Sequence, residues 1–511
     1  MTSAAPFSSF IVYPIFKYIA ARVRSSALSV AWGVGGALVA LGAMPLAAAP
    51  LTLDDAIRLA LENNQRIKVS AYTPQIARAN VLAAYGQFDP VLSFTRTYRE
   101  DEVAGSLGPV LRRPLTQSDD YRVALDGQMP WGLSYSLEGT ARNPRGTANA
   151  FADSYSTFGG LSITQPLLRG FGFGATLAGL RIAKASRGIS DWQHRQTVID
   201  TVTNVIFAYN NLQQARDGLS VARLTRDLAA QLVEENEKRN RVGYISDADV
   251  TQARARAARS EESILFAERR LRDLQNQLRL LLGEKTFPAD GPVLEIIELA
   301  PAADLTLDAA TDARRAFDLR PDYQAARLGL TIDRANLAAA QNALLPTLNF
   351  VGSYGYSGAD GDFSTARAQV RDRDARAYSA GMVVRIPLGF AEGRGRARAA
   401  RLTVRQAEAD LVRLEQDIAL AVAAAAGQIE TTQQRVRAAR NAMDLAQQAL
   451  DNEQKRLNAG TSTTFFVLQQ QEQLSAVQNS FFSALADQRR AIAAYERELG
   501  TTLERHGIKV E

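Results

Sequence analysis

The chain has 511 residues, 46% of them apolar, which is enough for an extensive buried core and too apolar for a disordered protein. Its formal charge of +5 comes from 59 basic and 54 acidic residues interspersed along the sequence, without the concentrated basic block that binds nucleic acid. Cysteine is absent, which excludes disulfides, thiolate metal sites, cysteine catalysis and a lipid-modified N-terminal cysteine.

Residues 1–49 place Lys17, Arg22 and Arg24 ahead of the apolar run ALSVAWGVGGALVALGAM and the small residues of PLAAAP, the order of a secretory signal peptide. Cleavage is expected within a residue or two of Ala49. A membrane anchor is the alternative, against which stand the shortness and glycine content of the run. Beyond it no run of about 20 apolar residues offers a transmembrane helix, so membrane attachment of the exported protein would have to come from its fold.

The rest of the chain writes one unit twice. ARANVLAAYGQFDPVLSFTRTY (77–98) matches DRANLAAAQNALLPTLNFVGSY (333–354) without a gap, with Arg78 opposite Arg334 and Pro90 opposite Pro346. SITQPLLRGFG (162–172) resembles VRIPLGFAEG (384–393), and KRNRVG (238–243) matches KRLNAG (455–460), which sets Gly243 opposite Gly460. The expected division is a first repeat at 51–285, a linker at 286–312, a second repeat at 313–500 and a tail at 501–511. Each repeat reads as helix, β segment, long helix, glycine break and returning helix.

In the first repeat VLSFTRTY, YRVALDGQM, LSYSLEGTA and TFGGLSITQPL alternate and are rich in aromatic, Val, Leu, Ser and Thr residues, which predicts strands. The interval from Pro90 to Pro166 is roughly 35 residues longer than that from Pro346 to Pro387, and the excess contains two alternating runs joined at Met129-Pro130-Trp131-Gly132, a tight-turn signal. The inserted hairpin, Tyr121 to Gly139, is expected to add two strands to the β region. Long connections around 99–119 and 143–153 would then lie at one end and the short turn at the other, the habit of outer-membrane barrels. Such strands, a signal peptide and very long helices together favour a transmembrane barrel.

The long helices carry the clearest periodicity. Val422, Ile429, Val436, Met443, Leu450 and Leu457 recur every seven residues, with Ile418, Ala425, Thr432, Ala439 and Ala446 between them. Val205, Leu212, Leu219 and Val233, with Ala208, Ala215, Ala222 and Ala229, repeat that register in the first copy. Helices from about 176 to 242 and 392 to 459 would each span about 100 Å. They need a partner along their length, so returning helices near 247–282 and 464–499 should pack beside them, with the glycines at hairpin tips.

Motifs for chemistry are lacking. His194 and His506 are far apart without accompanying ligands and read as surface helix residues. RGFGFG (169–174) lacks GxGxxG spacing and reads as a loop, and no GxSxG, Walker or HExxH pattern occurs. Asp247 and Asp249 are expected to favour a helix start rather than to hold a metal. No enzyme activity and no cofactor are expected.

With LTLDDAIRLALENNQRI after the leader, RPDYQAAR opening the second copy, and the tips VGYISDADVTQARA and NAGTSTTFFVLQQQ, the chain resembles the TolC-like outer-membrane efflux protein family over about residues 51–500. The resemblance implies a mainly α fold with β: a homotrimer whose subunits share one transmembrane barrel continuous with a long periplasmic coiled-coil tunnel, belted at mid-height by residues 286–312 and the tail. It further implies a passive conduit embedded in outer-membrane lipid, served by a periplasmic adaptor and an inner-membrane pump of the RND or ABC type, in efflux or type I secretion. Docking would fall on Gly243, Tyr244, Asp247, Asp249, Gly460, Thr461 and Ser462. The family often rings its entrance with paired aspartates. Here those positions hold Phe466 and Gln469, and the locking tyrosine and arginine align with Leu457 and Ser462. The expected entrance is therefore an apolar constriction at Phe465, Phe466 and Gln469, unless both rings pack inside the hairpin. A different class remains open from the residues alone: an exported coiled-coil structural or adhesion protein without a pore.

Overall fold

A computed structural model describes residues 50–102, 106–107, 111–112, 115–284, 294–299 and 307–509. The expected signal peptide and parts of the linker lie outside them. Thr52 starts α1 (Leu53–Asn63) by accepting from the Asp55 amide, and Asn64 starts α2 (Gln65–Tyr85) by accepting from the amides of Arg66 and Ile67. Four long strands follow: β1 (Val91–Glu102), β2 (Leu115–Gln128), β3 (Ser134–Gly146) and β4 (Tyr155–Pro166), with a separate short hairpin, Ser106–Leu107 against Leu111–Arg112, between the first two. The helical hairpin α3 (Ala178–Arg241) and α4 (Asp247–Leu282) closes the first half. The second half runs α5 (Ala309–Leu319), α6 (Pro321–Asn342), β5 (Thr347–Asp360), α7 (Phe363–Asp372), β6 (Ala375–Arg385), α8 (Ala391–Asn458) and α9 (Thr464–Leu499). Helix lengths of 11, 21, 64 and 36 residues in the first half face 11, 22, 68 and 36 in the second.

The seven-residue register becomes burial. Along α8 Ile418, Val422, Ile429, Thr432, Leu450 and Leu457 are buried, and Ala425, Val436, Ala439, Met443 and Ala446 partly so, while most residues between them face solvent. α3 buries more of its circumference, because α1 and residues 294–299 wrap it: Leu51 and Ile296 form a parallel bridge, and the Tyr209 hydroxyl lies 2.9 Å from the Leu51 carbonyl and 2.7 Å from that of Ile297. This strap falls within the expected belt. Arg216 reaches its Ile296 carbonyl at 2.7 Å and Arg489 its Leu299 carbonyl, so α3 and α9 both hold it.

The six strands form one antiparallel sheet in chain order. The inserted hairpin lies inside it, β2 paired to β1 (Phe94 opposite Val123) and β3 to β4 (Leu137 opposite Leu161). Its turn closes through Met129 N to Leu133 O at 2.7 Å, with Gly132 at φ +99°. A Cβ on Gly132 would meet the Gly170 carbonyl at 2.3 Å, and the Gly172 amide donates to the Trp131 carbonyl at 3.0 Å. RGFGFG is thus a loop, and it seats the inserted turn at the junction of sheet and helices.

Register sorts the strands into two faces. One carries Leu92, Phe94, Val123, Leu137, Leu161, Tyr354 and Met382, exposed and apolar, the half-buried Leu125, and the ion pairs of Asp119 with Arg96 and Arg145; the other carries mostly Ser, Thr, Gly and Ala, with Asp120, Arg122, Asp126, Glu138 and Arg142 on β2 and β3. Both edges, β1 and β6, are unpaired among the described residues, along 12 and 11 residues.

Three expectations need correction. The connection expected over 99–119 is shorter, since β1 runs to Glu102 and β2 begins at Leu115; the strands extend with charged residues that hide the alternation. Likewise β3 runs to Gly146, so the connection expected over 143–153 is residues 147–154, opened by a helical turn at Thr147–Asn149. His506 is not a surface helix residue: it follows the last short helical turn, Thr502–Arg505, and is mostly buried beside Asp54 at 3.9 Å. α7 was not expected. It lies on the apolar face, where Gly159 and Gly358 leave room and the Thr157 hydroxyl donates to the Ala366 carbonyl at 2.9 Å.

Candidate functional site: the hairpin tips

The first tip is built by its own residues. Gly243, at φ +78°, ends α3 by donating to Asn240 O at 2.9 Å, and Tyr244 N reaches Arg239 O at 2.9 Å. This left-handed turn favours glycine, because a Cβ at such φ is strained. Ser246 then caps α4: its hydroxyl oxygen accepts from Asp249 N at 3.3 Å, and the Asp249 carboxylate accepts from Ser246 N at 3.2 Å. Asp247 accepts from Asn240 Nδ2 at 3.0 Å, which ties the end of one helix to the start of the next. Both aspartates serve helix starts. Tyr244 stands out into solvent, 84% exposed.

The second tip turns in the same way, Gly460 at φ +73° donating to Leu457 O at 3.1 Å and Thr461 N to Arg456 O at 2.9 Å. Its returning helix has no side-chain cap at Thr463. The Ser462 hydroxyl instead bonds the Glu453 carboxylate. Leu457 is core, packed with Leu232, Leu450, Val467, Leu468 and Leu474. Phe465 and Phe466 are 54% and 49% exposed, edge to face with centroids 5.6 Å apart, so neither ring is packed inside the hairpin. Phe466 and Gln469 line one groove with Glu453, Thr461 and Ser462.

The tips touch through Asn236, Arg239 and Thr464, which the sequence reading did not single out. Arg239 donates from Nη1 to Leu457 O at 3.3 Å and from Nη2 to Asn458 Oδ1 at 3.0 Å, and Thr464 Oγ1 donates to the buried Asn236 Oδ1 at 3.2 Å. A signal was present, since Arg239 lies in KRNRVG. Its counterpart in KRLNAG, Arg456, instead bonds Glu453 on its own helix at 3.2 Å. Among the described residues no three His, Cys, Asp or Glu side chains cluster as metal ligands, and His194 Nδ1 contacts Ser70 Oγ at 2.8 Å. Nearer the strap, burial and the Glu298 carboxylate push the Asp217 pKa up to about 6, partly offset by Arg489 and Arg216.

The sequence profile of the outer membrane efflux proteins matches residues 56–284 and 313–501, the two halves described above. The chain belongs to the outer membrane efflux protein family. Its place is accordingly the outer membrane. This efflux-family chain is 30% identical over 256 residues to protein CyaE of Bordetella pertussis, a match covering 49% of the chain and 52% of that relative. It is 24% identical over 328 residues to the outer membrane protein TolC of Vibrio cholerae, covering 63% of the chain and 72% of that protein. The chain spans about half the length, or less, of the first curated relatives it matches, 52% of one and 32% of two others. Its fold is similar to that of the outer membrane channel CmeC of Campylobacter jejuni, with a TM-score of 0.64, 13% identity and coverage of 94% of each chain. The mainly helical architecture with a β sheet is that of the outer-membrane channel structures.

Proposed function

We propose that three copies of this chain close their sheets into one transmembrane barrel and their helices into one periplasmic tunnel, the outer-membrane channel of a tripartite efflux or type I secretion system. The observation that carries this reading is the sheet: one face apolar and exposed, one polar, and two unpaired edges. In hydrocarbon an unpaired strand edge costs several kcal/mol for each orphaned backbone group, so only closed barrels span. Six strands are too few to close alone, since the smallest such barrels have about eight. Because consecutive strands are antiparallel, β6 of one copy meets β1 of the next in antiparallel sense, and copies can close a ring. The apolar stripe of Val69, Tyr72 and Ile76 on α2, exposed in a single chain, supports contact with a neighbouring subunit. A non-porous adhesion protein would have no use for a two-faced sheet of this kind.

In this reading the conduit is passive. A periplasmic adaptor docks on the tips around Gly243, Tyr244, Asp247, Asp249, Gly460, Thr461 and Ser462, and an RND- or ABC-type pump supplies the energy. Phe465, Phe466 and Gln469 form the entrance constriction. A heat-resistant trimer on a gel and discrete conductance in planar bilayers are the expected results; a monomer that leaves bilayers unaltered would end the proposal. For the constriction, Phe466→Ala should raise the closed-state current several-fold, and an unchanged current and ion selectivity would refute it.

A further inference from the structure

The polar face of the sheet is uneven. Five charged residues, Asp120, Arg122, Asp126, Glu138 and Arg142, stand on it within the inserted hairpin. Over the same rows, the polar-face partners on β1, β4, β5 and β6 are uncharged, from Thr97 and Val91 through Ser156 and Ser162 to Ser353 and Ser379. The five form a cross-strand ladder. Arg122 Nε donates to Glu138 at 2.7 Å and its Nη2 lies 3.5 Å from Asp126, while Arg142 Nε lies 3.3 Å from Asp120. Neighbouring hydroxyls complete it, Ser136 with Arg122 at 3.1 Å and Ser162 with Glu138 at 3.3 Å. Three acids against two arginines leave one negative charge in each ladder. On the opposite face the same two strands present Val123, Leu125 and Leu137.

Resting on the trimeric channel reading, we propose that the inserted hairpin determines both the width and the ion preference of the pore through the outer membrane. The second half contributes two strands and the first four, and the surplus is this hairpin. Three copies then make eighteen strands. With strands about 4.8 Å apart and tilted about 40°, eighteen enclose a backbone diameter of about 36 Å, against about 24 Å for the twelve that would remain without the hairpin. Barrels of 16–18 strands hold an aqueous lumen rather than a packed interior. Apart from Phe158, whose ring lies over Gly160 and Gly355, the side chains that β4, β5 and β6 turn to this face across the ladder rows are small, and the three ladders form a charged band around the lumen with an excess of three negative groups, which favours cations weakly.

The absence of native cysteine makes the test clean. In intact cells a charged, membrane-impermeant thiol reagent added outside should label Glu138→Cys and Thr140→Cys, and should spare Leu137→Cys and Val123→Cys. The reverse pattern would overturn the proposal. Deleting residues 115–146 joins β1 to β4, which run in opposite senses. The trimer should then exclude smaller polyethylene glycols from its outer mouth than the full chain does, and an unchanged cut-off would count against the hairpin as wall. Should the deletion fail to assemble, the labelling decides alone. In a salt gradient Arg122→Gln should raise and Glu138→Gln lower the cation-to-anion permeability ratio, about twofold each, with Leu137→Ala unchanged; no shift in either charge variant would refute the ion preference. A full-length chain without conductance sinks the channel reading, whereas a conducting one with Glu138→Cys unlabelled sinks only this inference.

Discussion

The two hairpin tips have the same turn and opposite means of support. Around Gly243 the chain caps itself, with Ser246 and Asp249 bonded reciprocally and Asn240 holding Asp247. Around Gly460 the returning helix has no side-chain cap and leans on the first hairpin through Arg239 and Asn236. The corresponding arginines show the difference most plainly: Arg239 crosses to the other tip and Arg456 stays on its own helix. One hairpin is thus a post, and the other is held against it. In the proposed channel, the less self-sufficient element would be the mobile partner of the entrance, and that element carries the two exposed phenylalanines.

The comparison breaks most readily at Thr464. Thr464→Val leaves the buried Asn236 without its hydroxyl donor, and should destabilise the second tip by about 2 kcal/mol, read as faster amide exchange in residues 457–470 than in 240–250. Equal acceleration at both tips would show that they are one unit. Next, Arg239→Ala removes two charged hydrogen bonds between the hairpins. It should cost about 1.5 kcal/mol and raise the closed-state current, whereas Arg456→Ala, which acts within one helix, should leave the current alone.

A site away from both tips sharpens the contrast through pH. Asp217 has its pKa raised to about 6 in the folded chain, above the ordinary carboxylate value, so the folded state binds its proton more tightly. Stability from this group is fully present below about pH 4 and is lost as pH rises through 6. Asp217→Asn should therefore stabilise the strap by about 1 kcal/mol at pH 7, allowing for solvent screening of a half-buried carboxyl, with no gain at pH 4. Thermal unfolding at the two pH values, with tip currents unaltered, is the expected pair of results. The smallest effect is that of Ser246→Ala, about 0.5–1 kcal/mol from the lost cap, confined to the first tip. If it loosened the second tip equally, support would run in both directions.

Much of this was legible in the chain. The seven-residue spacing from Val422 to Leu457 fixed α8 to within about a residue at either end, and the returning helices begin and end where Asp247, Leu282, Thr464 and Leu499 were expected. The inserted hairpin was readable from its alternation and from Pro130-Trp131-Gly132. α7 was not, because ten residues between strands give too short a window for helical period. Its signals were local: Asp362 accepting from the Thr365 amide at 3.0 Å, and Phe363, Ala366 and Val370 on one face. The charged ends of β1 and β2 escaped for the opposite reason, since strands continue there without an apolar face to mark them.

Sequence by itself determined the long helices, the hairpin tips and the alternating strands, for their causes are local: periods of seven and two, and glycines where the backbone turns left-handed at Gly243 and Gly460. It also determined the duplicated order of those elements. Tertiary structure alone decided which strands are neighbours, that the inserted hairpin lies between β1 and β4, that its charges share one face, and that Arg239 reaches Leu457 across 218 residues of chain. Those are choices of partner. A strand's alternation states that it has two faces, and a helix's heptads that it has a seam, but neither names what will cover them; only the packing of the whole chain does.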